Sequence, residues 1–337
     1  MAETVLVTGG TGFVGGWCVA KLLKRGYSVR TTVRSLAKAP AVSSAVITAD
    51  PGDRLSFFQT DLNSDTGWDE AVAGCDYILH VASPLGHTGG DVNALISAAR
   101  DGALRVLRAA VKAGVKRVVL TSSAAASAPL ASVKDAVSDE TLWTDPDGKG
   151  LTPYRRSKVI AEKAAWDFIN TSGGKTELVT ILPTGIFGPV LTTDGLGSVQ
   201  IVQRLMQGAL PGMPHFGMNV VDVRDVADAH IRAMTMSEAA GQRFIAGSGW
   251  LWMDDIGRIL RETFGDRAKK VPVRRLPSFV LRLLSLFRPE LKDVTVMLDR
   301  KHDVTSAKAQ RVLGWTPRPP ETAIVDCADS LIAKNAV

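Results

Sequence analysis

Through the first half of the chain, short apolar runs alternate with stretches whose apolar residues recur every three or four positions. The runs are TVLVT, YSVRTTV, LSFFQT, DYILHVA, RVVLTSS and ELVTIL, and each is the length of a buried strand. Between them lie segments such as GWCVAKLLKRG and ALISAARDGALRVLRAAVKAG, which have helical spacing and end at Gly26 and Gly114. Parallel strands need crossovers of about this length, so the alternation implies a parallel sheet covered on both faces. The pattern therefore predicts an α/β fold with a doubly wound parallel sheet. After about Pro183 the alternation gives way to Gly/Pro-rich loops and scattered helices, which predict a second, smaller lobe. At 337 residues the chain is long for one core and suits two lobes. We place the larger one at 1–182, with a returning segment near 217–240, and the smaller one at 183–216 and 241–330.

The turn after the first run, in VLVTGGTGFVGGW, holds Gly9, Gly12 and Gly15. A tight turn, close backbone approach to a pyrophosphate and close helix–strand packing each exclude a side chain. The N–H groups of the following helix are left to face phosphate. At the end of the second strand, where an NAD site offers Asp or Glu, RTTVRSLAK has Val33, followed by Arg34 and, one turn on, Lys38. A guanidinium pairs with a 2′-phosphate that a carboxylate would repel, so NADP(H) is the expected cofactor. Asp61, in TDLN, either accepts from the adenine amino group or simply forms a turn.

In TPYRRSK, Thr152 and Pro153 open a helix that puts Tyr154 and Lys158 on one face. An ammonium beside a phenol should lower its pKa from about 10, suiting it to proton exchange. The strand RVVLT ends in Ser122 and Ser123, and strand C-termini are where ligands sit in open α/β sheets. A hydroxyl there can bind a carbonyl oxygen and stabilise the developing alkoxide. Ser127 is expected only to cap a turn.

With these residues in place, the chain resembles the extended short-chain dehydrogenases/reductases along most of its length. TGGTGFVG, TSSAAAS and YRRSK match that family's glycine, serine and Tyr-x-x-x-Lys positions. HVASP, LPTGIFGP, VDVRDVADAH and LGW match further blocks in the same order. TTVR and HVASP are similar to the group of dihydroflavonol reductases, cinnamoyl-CoA reductases and microbial aldehyde/ketone reductases. The resemblance implies a Rossmann-type NADP-binding domain and a C-terminal substrate-binding lobe. It implies Ser123 as the catalytic serine, Tyr154 as the acid/base and Lys158 as the ribose-binding lysine. Phe13 and Val14 then lie within the pyrophosphate loop, Asp61 and Leu62 at the adenine, and Ala82 and Ser83 beside the cofactor. Pro183, Thr184 and Ile186 fall at the nicotinamide end.

Departures narrow the expectation. Where cinnamoyl-CoA reductases carry Asn-Trp-Tyr-Cys-Tyr the chain has GKGLTPY, which argues against that substrate. The Thr-Asp-Glu of sugar-nucleotide dehydratases is missing from SSAAA, and Val33 replaces the acid of epimerases. The expected reaction is reduction of an aldehyde or ketone. The same site run oxidatively on an alcohol or hydroxysteroid, and a non-catalytic NADP(H) sensor, stay open as alternatives.

The net charge of +6, from 40 basic and 34 acidic side chains, has no basic stripe beyond pairs such as Lys269-Lys270, so no nucleic-acid partner is expected. No signal-peptide pattern opens the chain, and FVLRLLSLF is too short to span a bilayer and reads as an amphipathic helix of the smaller lobe. The three cysteines, Cys18, Cys75 and Cys327, lack metal-ligand spacing. These features lead to the expectation of a cytoplasmic monomer or homodimer without metal, acting on a small carbonyl substrate. His80 is expected beside the cofactor, His87 at the cleft edge and His215 in a loop, at the surface or else touching substrate. Asp222 and Asp225 should cap a helix, while Trp143, Phe187, Met213 and Trp252 are candidates to line the pocket.

Overall fold

The structure, a computed structural model, describes residues 2–46, 52–84, 91–130, 132–133, 135–193, 197–288 and 291–337. His87 lies outside these residues. Strands β1 (Thr4–Val7), β2 (Ser28–Val33), β3 (Leu55–Gln59), β4 (Tyr77–His80) and β5 (Arg117–Thr121) follow one another along the chain. Helices α1 (Phe13–Lys24), α2 (Ala39–Val46), α3 (Trp68–Val72) and α4 (Val92–Ala113) occupy the intervals between them. β6 (Asp135–Ser138) and α5 (Pro153–Thr171) lead to β7 (Glu177–Pro183). β8 (Gly185–Phe187), α6 (Val199–Met206), β9 (Met213–Pro214), β10 (Gly217–Asp222) and α7 (Val223–Thr235) precede β11 (Arg243–Ala246). The remainder holds β12 (Gly249–Trp252), α8 (Met253–Phe264), β13 (Arg275–Leu276), α9 (Ser278–Leu284), α10 (Lys292–Thr295), β14 (Lys301–Val304), α11 (Ala307–Leu313) and α12 (Pro320–Ala333).

The main sheet has seven strands in the order β11-β7-β5-β4-β1-β2-β3, every pairing parallel. It is a doubly wound Rossmann-type sheet. Period-two alternation sends Val5 and Val7 into a core under α1 and α7, and Leu6 into a core under α3, α4 and α5. Asp91 caps α4 by accepting from the Asn93 and Ala94 amides at 2.8 and 3.2 Å, and the helix stops at Gly114 as its sequence predicts. Strand order reverses between β1 and β4. The chain leaving these two strands therefore opens a crevice at their C-terminal ends, the place where such sheets take ligands.

The smaller lobe is built on a three-stranded sheet, β12-β10-β8, with α6, α8 and α12 packed over Val202, Leu205, Ile256, Leu260 and Ile324. The returning segment was expected at 217–240. α7 does pack on the main sheet, but β10 belongs to the small sheet, and the strand that joins the large one is β11, beyond that segment. Phe13 at the start of α1 packs against the cores of both lobes.

Asp222 caps α7 as expected, accepting from the Arg224 amide at 2.8 Å. Asp225 does something else: it accepts from the Arg318 backbone amide at 2.7 Å and pairs with the Arg318 guanidinium, while its carbonyl accepts from the Trp315 indole at 2.8 Å. The LGW block is thereby pinned to α7. α9 buries Leu281 but leaves Phe279, Leu283 and the following Leu286 and Phe287 exposed. No helix among the described residues is long and apolar enough to cross a membrane.

Candidate active site

The glycine turn is fixed from behind by Thr32. Thr32 accepts the Gly9 amide on its hydroxyl at 3.0 Å and the Gly10 amide on its carbonyl at 3.1 Å. Gly9 has φ +75°, and a Cβ there would lie 3.0 Å from that of Ala82. At Gly15 a Cβ would stand 2.2 Å from the Gly9 carbonyl oxygen, so α1 can sit this close to the turn only without one. Gly12 caps α1 with no side chain, and the first turn carries no acid. The opening amides, around Phe13 and the buried Val14, are free of competing side-chain acceptors, which suits phosphate.

A groove beside this turn is lined by Gly10, Thr11, Gly12, Phe13, Lys38 and Leu191. Lys38 lies on the wall of this groove, and Arg34 is exposed immediately after β2. Leu191, from the loop after β8, gave no signal in the sequence. Asp61 uses its carboxylate to accept the Asn63 amide at 2.8 Å, which is the turn-forming role. Leu62 packs against Gly102 of α4.

Thr8, also unmarked in the sequence, organises the chain after β4. Its hydroxyl accepts the Val81 and Ala82 amides, each at 3.0 Å, and lies 2.8 Å from His80 Nδ1. With two donors already on the oxygen, its own proton goes to Nδ1, and the ring proton is assigned to Nε2. Burial, and secondarily the charge of Lys158, push the His80 pKa down to about 3, so the ring is neutral. Ala82 is held against Gly9 by this arrangement, and the next residue, Ser83, accepts on its Oγ from Lys158 Nζ at 3.0 Å.

Thr152 caps α5 by accepting the Arg155 amide at 3.3 Å, with Pro153 in the first turn. Tyr154 and Lys158 share a face, the ammonium 5.9 Å from the centre of the phenol ring. Lys158 is buried, and loss of water pulls its pKa down to about 8 against the opposing pull of Glu162. The expectation that Lys158 lowers the Tyr154 pKa is corrected. That pKa is raised, with loss of water around the phenol as the leading cause and the nearby Ser123 hydroxyl and Arg155 charge opposing it, although 39% of the residue stays exposed. Ser123 also caps the turn after β5, accepting the Ala125 amide at 3.2 Å. Ser122 turns away: it is buried and donates to Glu162 at 2.5 Å, so of the two serines only Ser123 meets Tyr154.

Pro183 ends β7, Thr184 donates its amide to the Ala246 carbonyl at 3.1 Å, and Ile186 lies half-buried on β8. Of the candidate pocket residues, Phe187 and Met213 are core of the smaller lobe. Trp143 is covered by the Arg243 guanidinium 3.6 Å above its ring. His215 is half-buried rather than a surface residue. It stacks on Trp252 with centroids 4.6 Å apart, and its buried Nδ1 has no hydrogen-bond partner among the described residues. No group of His, Cys, Asp or Glu among the described residues could hold a metal.

A doubly wound parallel sheet with a glycine turn after β1 defines a nucleotide-binding α/β protein. Residues 5–247 match the NAD dependent epimerase/dehydratase family. A cinnamoyl-CoA reductase (CAD2) of Medicago truncatula is 36% identical over 270 residues, covering 78% of this chain and 82% of its own. The dihydroflavonol 4-reductase of Zea mays is 34% identical over 272 residues, 77% and 74% of the two chains. Among solved structures, the yeast methylglyoxal/isovaleraldehyde reductase Gre2 complexed with NADPH superposes with a TM-score of 0.83 at 27% identity, over 99% of this chain and 100% of its own. The chain belongs to the NAD dependent epimerase/dehydratase family, the extended short-chain dehydrogenases/reductases, in the group of dihydroflavonol and aldehyde/ketone reductases. It is an NAD(P)-dependent reductase.

Proposed function

We propose that this protein uses NADPH to reduce an aldehyde or ketone to the alcohol. The observation that carries the reading is the meeting of Tyr154, Lys158 and Ser123 at the C-terminal end of the main sheet, beside the glycine turn. Gly9, Gly12, Phe13, Val14 and Gly15 hold the pyrophosphate, Arg34 and Lys38 the 2′-phosphate, and Asp61 and Leu62 the adenine. Ala82, Ser83, Pro183, Thr184 and Ile186 surround the nicotinamide end, and Lys158 also binds the ribose. Bound NADPH supplies the hydride. Ser123 holds the carbonyl oxygen by a hydrogen bond that strengthens as the oxygen gains charge. Tyr154 delivers the proton to that oxygen from a phenol that is protonated at neutral pH. Isovaleraldehyde and methylglyoxal, named for the yeast neighbour, are both carbonyl compounds, which supports the substrate class.

Tyr154→Phe tests the assignment. Turnover should fall by about 100-fold or more while NADPH binding, followed by fluorescence, is unchanged. A variant that keeps most of its turnover would remove Tyr154 from the role.

A further inference from the structure

One turn beyond Lys158, on the same face of α5, Glu162 is completely buried. Its carboxylate accepts from Ser122 Oγ at 2.5 Å, Thr180 Oγ1 at 2.8 Å and Arg243 Nε at 2.9 Å. Arg243, at the edge of the sheet on β11, donates onward to the carbonyls of Glu140 at 2.6 Å, Leu142 at 3.2 Å and Ala126 at 3.3 Å. Glu162 and Lys158 both line one small pocket, together with His80, Ser83, Thr121 and Ser122. A carboxylate, a guanidinium and an ammonium are thus gathered in the interior, where apolar side chains would hold the helix to the sheet at no electrostatic cost. Packing alone does not account for them.

We infer that Glu162 is a positioning residue for Lys158: across this pocket its carboxylate keeps the ammonium charged and seated beneath Tyr154, and Arg243 sets how much of that negative charge reaches it. The inference rests on the reading of Tyr154 and Lys158 as the proton-handling pair.

The groups facing Lys158 are few. Its own helix presents Tyr154 and Glu162, β4 presents the neutral His80, and β11 presents Arg243 behind Glu162. Ser83, Thr121 and Ser122 complete the surround without charge. Glu162 is the one anion among them in the described residues. Burial already brings Lys158 to about 8, so its charge at neutral pH has little margin. Removing the carboxylate takes the lysine lower and brings forward the pH at which activity is lost on the alkaline side. Removing Arg243 frees more of the carboxylate's field, leaves Lys158 as its nearest cation and moves that limb upward.

The test uses the full chain, with NADPH and methylglyoxal, across pH 5.5–10. Glu162→Gln should move the alkaline limb of kcat/KM down by about one pH unit, Glu162→Asp should return most of the shift, and Arg243→Gln should move the limb upward. kcat should change more than KM. The Lys158 pKa is also read without turnover, by NMR of 13C-labelled lysine with Lys158→Met as the assignment control, and should follow the same three directions. Limbs and lysine resonances that stay put, or that move the same way in Glu162→Gln and Arg243→Gln, mean a purely structural ion pair and overturn the inference. If Glu162→Gln does not fold, Arg243→Gln decides alone, and an unmoved Lys158 resonance overturns it. Failure of the underlying reading shows separately, as full turnover by Tyr154→Phe.

Discussion

Replacing Lys158 with methionine should abolish turnover and yet stabilise the fold at neutral pH. The ammonium is buried, and its pKa falls from 10.5 to about 8, chiefly through loss of water. At about 1.4 kcal/mol per tenfold change in proton affinity, holding the charged form inside costs the native state about 3 kcal/mol. Methionine has a similar length and no charge, so it fills the space without that cost. It also strands the Ser83 hydroxyl, which accepts from Nζ at 3.0 Å, a loss of about 1 kcal/mol. The net gain of roughly 2 kcal/mol corresponds to a rise of about 3 °C in Tm for a chain of this size. Its pH dependence follows from the direction of the shift. The folded value lies below the unfolded one, so the cost is complete below about pH 8, where both states hold the proton, and is relieved as pH rises from about 8 to 10.5. The advantage of Lys158→Met should therefore be largest at pH 7 and shrink by pH 9.5. Thermal melts of both proteins at the two pH values measure it. A variant that melts below the wild type at pH 7, or a gap that does not change with pH, would refute the electrostatic reasoning.

Gly15→Ala forces a Cβ to within 2.2 Å of the Gly9 carbonyl oxygen, so the turn must open, and NADPH affinity measured by fluorescence titration should drop by at least about tenfold. Arg34→Asp places a carboxylate where the 2′-phosphate is read; the ratio of kcat/KM for NADPH over NADH should fall by about 100-fold, and an unchanged ratio would show that Arg34 does not read the phosphate. Asp222→Ala removes a fully buried cap that also accepts from Arg224 Nε and Nη2 at 2.9 and 2.6 Å, and should lower stability by about 2–3 kcal/mol in urea melts without changing KM for NADPH.

The sheet was legible because its signal is local. Runs such as TVLVT and RVVLTSS are buried on both faces, and the helices between them carry their own caps and stops. The glycine turn and the helix that puts Tyr154 and Lys158 on one face were legible for the same reason, since each lies within one short stretch. What escaped depends on contacts across long separations. Thr8 and Thr32 are ordinary strand threonines until the fold brings them to the amides after β4 and at Gly9. Ser122 and Ser123 are indistinguishable in sequence, and only strand geometry sends one to Glu162 and the other to Tyr154. The direction of the Tyr154 shift was misread because helical spacing reports neighbours and not loss of water. Pocket candidates chosen by residue type, such as Phe187 and Met213, proved to be core, the commoner fate of large apolar side chains.

The place of β11 has a consequence for how the protein is made. β7 lies between β5 and β11, so until residues 243–246 leave the ribosome its outer edge has no partner and offers bare amides and carbonyls to any passing strand. Sixty-odd residues, including β8, α6 and β10, must be synthesised in that interval. A nascent chain stalled there would be a target for chaperones, and a fragment ending near 183 would aggregate rather than fold.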